Sequence, residues 1–287
     1  MSEGKVIQWF PGHMAKAKRE ITESLAKVDV IFELYDARIP FSSKNPMVDE
    51  IVKNKPRVVL LNKAKIADPK VTKQWIDYYA KKGILALDID SITGYNINKI
   101  TQYAKMALKD LFLKREKRGI MSKTIKAMII GIPNVGKSTL INKLANRKAT
   151  QVGDKPGVTK SQTWIKVTDD MFLLDTPGIL WPKFESEEVG IKLAICQGIK
   201  DEIVDKYKMA VYGLVYLAQK YPSRLKERYN LDDLDTSDEG LHLIEEIARK
   251  RGFIQKGARI DYERTITYVL NDIRSNKLGA ISFEESE

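Results

Sequence analysis

Five short apolar runs punctuate the first two thirds of the chain: Val28 to Leu34, Arg57 to Leu61, Gly83 to Ile89, Ala127 to Ile130 and Met171 to Leu174. Each is rich in Val, Ile and Leu and too short for a helix, which predicts buried strands. Helical stretches separate them, the pattern of a mostly parallel sheet with helices on both faces. Gln162 to Val167 and Met171 to Leu174 flank Thr168-Asp169-Asp170, which predicts one antiparallel hairpin within that sheet. From about residue 190 the period changes. Leu241, Ile244, Ile247 and Ala248 form one helical stripe, and Tyr262, Ile266, Val269, Leu270 and Ile273 form another. Thr236 with Glu239 fits a capping box ahead of the first of these. The expectation is an α/β domain over residues 1–189 and a small all-α domain over 190–287.

The strongest chemical signal is Gly131-Ile132-Pro133-Asn134-Val135-Gly136-Lys137-Ser138, followed by Thr139. It lies between an expected strand and an expected helix, the context in which glycines let successive N–H groups turn inward on a phosphate at a helix N-terminus. Lys137 is expected to reach the β- and γ-phosphates, and Ser138 to ligate Mg²⁺. The plain alternative is an incidental glycine turn. Downstream, Met171 to Leu174 delivers Asp175-Thr176-Pro177-Gly178, where Asp175 suits the metal and the Gly178 N–H suits the γ-phosphate. Between them, Thr159 in Lys155-Pro156-Gly157-Val158-Thr159 offers a hydroxyl to Mg²⁺ and γ-phosphate.

Nothing after residue 180 looks like a base reader. Asn62-Lys63-Ala64-Lys65 resembles the guanine-reading Asn-Lys-X-Asp element of GTPases, and Ser91 in Asp90-Ser91-Ile92-Thr93-Gly94 resembles their second base element. Both precede the phosphate loop. With Ile7-Gln8-Trp9-Phe10-Pro11-Gly12-His13-Met14 at the start and Asp175 to Phe184 later, the chain resembles the circularly permuted GTPases, in particular the bacterial ribosome biogenesis GTPase A group.

That resemblance implies a P-loop GTPase with a circularly permuted, mostly parallel sheet. It also implies GTP and GDP as ligands, Mg²⁺ as cofactor, and a precursor of the large ribosomal subunit, its rRNA and ribosomal proteins, as partner. Ile179 stands where Ras-like GTPases carry the water-orienting glutamine, and the family's histidine, here His13, is its proposed replacement. Asn134 corresponds to the asparagine that holds K⁺ in potassium-dependent relatives. Turnover is expected to be slow alone and stimulated by the ribosome.

One residue departs from the pattern. Lys65 occupies the place of the acid that should accept from guanine N1–H and N2–H₂, and an ammonium only donates. The alternative function is therefore an RNA-binding assembly factor with impaired guanine selectivity. A P-loop metabolic kinase is a further alternative, but no lid with phosphate-binding arginines can be identified.

Charge refines the partner. The chain of 287 residues has a formal charge of +11, with +13 in residues 1–199 and −2 in the rest. The densest basic stretch, residues 105–126, has eight Lys or Arg against two acids and joins the base-reading half to the phosphate-binding half. It suits a polyanion or is a solvated helical linker. Arg249-Lys250-Arg251-Gly252-Phe253 and Lys256-Gly257-Ala258-Arg259 set cations beside an aromatic, a combination suited to RNA. One cysteine, Cys196, and no apolar run of membrane-spanning length predict a cytoplasmic protein.

Overall fold

The computed structural model describes residues 19, 21–52, 55–120, 122–145, 151–152, 164–174, 186–235 and 240–286. Strands β1 (Val30–Asp36), β2 (Arg57–Asn62), β3 (Leu85–Asp88) and β4 (Ile125–Gly131) are followed by β5 (Gln151–Val152), β6 (Trp164–Thr168) and β7 (Met171–Leu174). They form one sheet in the order β3-β2-β1-β4-β7-β6-β5. Pairings from β3 to β7 are parallel, while β6 runs antiparallel to both β7 and β5, so the hairpin expected around residues 168–170 is present. The strand ending in Asn62 is thus separated from the strand feeding the phosphate loop by β1 alone.

Central β1 is buried at every position, as a strand covered on both faces must be. It starts two residues later than the apolar run suggests, because Asp29 does other work: its N–H donates to Lys126 O at 2.7 Å and its carboxylate accepts from Lys126 N at 2.9 Å. Glu33 also lies inside the run yet is buried, with Arg57 3.2 Å away and the Tyr35 hydroxyl donating to it. A charge is tolerated there because it is paired.

Helices α1 (Pro46–Val52), α2 (Pro69–Lys81), α3 (Ile100–Ala107), α4 (Lys109–Glu116) and α5 (Lys137–Ala145) connect the strands. Asp68 caps α2, accepting from Lys70 N at 2.9 Å, and proline occupies the first turn. The last third contains α6 (Glu187–Ile195), α7 (Lys206–Lys220), α8 (Pro222–Tyr229), α9 (Leu241–Arg251) and α10 (Tyr262–Arg274). Both helical stripes are observed, with Ile244, Ile247, Val269, Leu270 and Ile273 buried. Thr236 and Glu239, the expected capping box, lie outside the described residues.

Two features differ from the pattern-based reading. A two-stranded hairpin, β8 (Ile254–Gln255) and β9 (Arg259–Ile260), sits between α9 and α10, where strands of two residues leave no periodic trace. One apolar cluster also runs without a break from Val30 and Leu60 in the sheet through Leu140 and Ile195 to Leu214, Val269 and Phe283. After α10 the tail returns to the sheet side: Ile281 N donates to Ile66 O at 3.1 Å and Phe283 N to Arg38 O at 2.8 Å.

Candidate nucleotide site

The phosphate loop is built on two glycines that cannot be replaced without displacement. A Cβ on Gly131 would lie 2.7 Å from Leu34 O on the neighbouring strand. At Gly136 φ is +104°, and a Cβ there would lie 2.4 Å from Asn62 Nδ2. Asn134 at the crown also has positive φ, 55°, which asparagine tolerates better than most residues. Val135 is buried under the loop, whereas Asn134, Ser138 and Thr139 are exposed and Pro133 is half-buried. The Lys137 ammonium is drawn inward, donating to Gly131 O at 2.9 Å and Ile132 O at 2.8 Å.

Asn62 closes this loop against the other half of the chain. Fully buried at the end of β2, it donates from Nδ2 to Val135 O at 2.8 Å. Its Oδ1 accepts from Ser91 N at 3.0 Å and Ser91 Oγ at 2.8 Å. Three segments that are far apart in sequence meet at one side chain, all at the C-terminal ends of parallel strands where open α/β sheets place their ligands.

The turn after Ser91 is closed by Asp90, whose Oδ1 accepts from Ile92 N, Thr93 N and Thr93 Oγ1 at 3.1, 2.8 and 3.0 Å. Lys143 of α5 lies against it, with Nζ 3.4 Å from Ile92 O, so the phosphate-loop helix and the second base element also touch.

Lys63 follows Asn62 with φ 63°, and its ammonium lies 2.9 Å from Asp36 Oδ2 at the end of β1. Asp36 also accepts from the Arg38 guanidinium at 2.9 and 2.7 Å, and Arg38 reaches on to Cys196 O at 3.1 Å, just past α6. Burial alone would raise the Asp36 carboxyl, but Arg38 and Lys63 beside it hold it well below the usual carboxylate range. Burial likewise pushes the Cys196 thiol up to about 12, so it stays neutral. The Asp36–Arg38 pair was not among the residues read from sequence as functional. Its only trace there is an acid and an arginine two positions apart at the end of an apolar run.

Lys65 is exposed, with its ammonium 3.7 Å from the centre of the Tyr95 ring. Asp68 cannot stand in for the missing acid, because it is committed to capping α2. His13, Thr159, Asp175 and Gly178 lie outside the described residues, as does Ile179. Among the described residues no group of three His, Cys, Asp or Glu side chains could hold a metal. The exposed Ser138 hydroxyl on the first turn of α5 is a hard oxygen donor that fits Mg²⁺, provided the remaining ligands come from phosphate, Thr159 and Asp175.

The basic stretches fare differently. Phe253, expected to stack on a base, is buried edge-on to Tyr268 at 5.2 Å, with the Arg264 guanidinium 4.4 Å from its ring centre. Arg249 and Lys250 are occupied by Glu245 and Asp232 at 2.7 and 2.9 Å. Lys256 and Arg259 on the β8–β9 hairpin remain exposed, with no carboxylate partner among the described residues.

Comparison with known proteins places these observations in a lineage. Residues 126–250 match the family described as 50S ribosome-binding GTPase. The matched span starts at β4 and leaves out Asn62 and Ser91. The chain is 51% identical to ribosome biogenesis GTPase A of Bacillus pumilus over 98% of its own length and 99% of that protein's. It is 32% identical to the Thermotoga maritima protein of the same name, covering 98% and 95% of the two chains. The crystal structure of GNP-bound YlqF from T. maritima superposes with a TM-score of 0.60 at 28% identity, over 94% of this chain and 98% of that one.

Proposed function

Since this chain belongs to the ribosome biogenesis GTPase A family, we propose that it is a GTP-driven assembly factor for the large (50S) ribosomal subunit. It docks on the rRNA and proteins of a precursor particle when GTP is bound and leaves after hydrolysis. GTP hydrolysis is the family's activity and Mg²⁺ its usual companion. The observation that carries the reading is the Asn62 junction, where the base-side segments and the phosphate loop form a single site despite their inverted order.

Within that site the expected division of labour follows from chemistry. Lys137 exchanges its two loop carbonyls for β- and γ-phosphate oxygens, a swap of neutral acceptors for charged ones that favours the bound state. Ser138, Asp175 and Thr159 would hold Mg²⁺, which would neutralise phosphate charge, and the Gly178 N–H would meet the γ-phosphate. The loop N–H groups of Pro133's neighbours, together with Gly136 and Thr139, would line the phosphates, and Asn134 would supply a carbonyl oxygen to K⁺. His13 accepts from the attacking water, which Ile179 cannot do. The cytoplasm, where bacterial ribosomes mature, is the expected compartment.

The test is GTP hydrolysis with and without 50S particles at high and low K⁺. Slow turnover alone, stimulation by particles and a K⁺ requirement are expected. Absence of stimulation in the presence of bound particle would reject the assembly-factor reading.

Lys65 supports the second reading, weakened guanine preference. Losing a charge-assisted pair costs about 1.5–3 kcal/mol, on the order of tenfold or more in affinity. Lys65→Asp is expected to tighten GTP relative to ATP and XTP, and unchanged GTP affinity on titration would remove Lys65 from the argument.

A further inference from the structure

The base-side strands have a second end. At the N-terminal edge of β2 and β3, opposite Asn62 and Ser91, a cavity of about 660 Å³ opens. Ile84, Leu85, Met106 and Ala107 line it together with Lys55, whose ammonium donates to Val28 O at 2.8 Å, and Lys109. The surface continues along α3 and α4. Lys109, Leu113 and Lys117 follow one another at intervals of four and share a face, Met106 stands at the end of the adjoining α3, and α4 has no fully buried residue, Leu111 and Phe112 packing part-buried against the core. Met106, Leu113 and Ile120 are 50%, 47% and 49% exposed, three large aliphatic side chains in one short stretch.

Only part of the positive charge in this stretch is compensated. Lys105 and Arg115 are tied to Asp170 and Asp29. Lys109, Lys114, Lys117, Arg118 and Lys123, by contrast, have no carboxylate partner among the described residues. Asp110 and Glu116 are the opposing charges in this stretch.

Cations alone would suit RNA phosphate, but the aliphatic stripe would not. Phosphates leave Met106 and Leu113 in water, and no exposed aromatic stands on α3 or α4 to stack on a base. A surface alternating half-exposed aliphatics with lysines is complementary to a helix with leucines on one face and glutamates beside them. We infer that this face is a protein-docking surface whose partner is an acidic amphipathic helix, acting far from the nucleotide site. The inference deepens the assembly-factor reading and rests on it for the partner's origin in the particle, while its test uses no particle.

The full chain is titrated, by fluorescence anisotropy, against a labelled 20-residue helical peptide with a leucine stripe flanked by glutamates, and separately against a labelled 15-nucleotide oligouridine. Met106→Ser with Leu113→Ser is expected to weaken the peptide at least tenfold and leave the oligonucleotide unchanged. Lys109→Ala with Lys117→Ala should weaken both. These residues are exposed, so folding is spared, and GTP hydrolysis without particles should be unaltered. The inference is overturned if the wild-type chain does not bind the peptide, or if the serine pair leaves peptide binding as it was. Failure of particle stimulation with peptide binding intact would instead count against the assembly-factor reading.

Discussion

Two buried carboxylates anchor the loop after β1 from opposite sides, and their charges are balanced by different means. On the nucleotide side, Asp36 faces the Arg38 guanidinium and the Lys63 ammonium. On the tail side, Glu284 accepts from Phe41 N at 2.7 Å, from Ser42 N at 3.0 Å and from the Ser42 hydroxyl, with Lys192 3.5 Å away. For both groups burial is the largest influence on the carboxyl pKa. At Asp36 the two cations outweigh it, whereas at Glu284 neutral donors and one shared lysine do not, and that carboxyl is raised. Hydrogen bonds from neutral donors favour the charged form, but at Glu284 they do not outweigh burial, whereas the two cations at Asp36 do. The fixed charge is on the side where Lys63 must be held beside Asn62. The adjustable one is on the seam where the tail returns.

Removing each carboxylate in turn should separate the two sides of the loop. Asp36→Ala strands a buried guanidinium and is expected to cost about 3–5 kcal/mol. Glu284→Ala leaves neutral donors without partners and a lysine, Lys192, that keeps Glu188 at 2.9 Å, so it should cost about 1–3 kcal/mol. Urea denaturation of both variants measures the difference. Equal losses would mean that the guanidinium finds other partners and that the charge pair is not what sets the nucleotide side apart.

The sequence made one of these two anchors visible in part and the other not at all. Strand cores were readable because burial on both faces leaves long Val/Ile/Leu runs, and the phosphate loop was readable because its function fixes residue type at fixed spacing. The convergence of Asn62, Ser91 and Val135 followed once the order of segments was recognised as permuted. Glu284 carries no such mark. Its partners on residues 41 and 42 lie at the other end of the chain, and only the folded tail brings them together. Phe253 shows the opposite failure, in which sequence neighbours suggested a basic-aromatic surface while the i, i+4 logic of α10 turned Tyr268 and Arg264 onto the ring. Proximity in sequence set the composition of that region correctly but not which face of it meets water. The residues expected to bear the hydrolysis step, His13, Thr159, Asp175 and Gly178, were legible as motif chemistry and lie outside the described residues.

Asn62 tests the comparison with a neutral group. It is as buried as Asp36 and makes three hydrogen bonds, but it carries no charge, so its loss belongs near that of Glu284 in stability. Asn62→Ala should cost about 1–3 kcal/mol while weakening GTP binding more than Glu284→Ala does, since it alone releases Val135 of the phosphate loop. Denaturation paired with nucleotide titration separates the two effects. A variant that loses stability but keeps full GTP affinity would show that the junction is only structural.

The smallest expected effect is in the pH dependence, where the two carboxylates should carry opposite signs. The folded-state pKa of Asp36 is depressed, so its contribution is complete above the ordinary aspartate value of about 3.9 and is lost as pH falls below it. Glu284 is raised, so the unfolded chain releases its proton first. Its contribution is complete below about 4.3 and declines as pH rises toward the folded value. Between pH 4.5 and 7 the stability difference between wild type and Asp36→Asn should therefore be flat. The difference between wild type and Glu284→Gln should shrink with rising pH over the lower part of that range, as urea midpoints at half-unit steps would record. Parallel slopes would place a compensating cation at Glu284 after all, with Lys192 approaching closer than 3.5 Å in solution, and the two sides of the loop would then obey the same electrostatics.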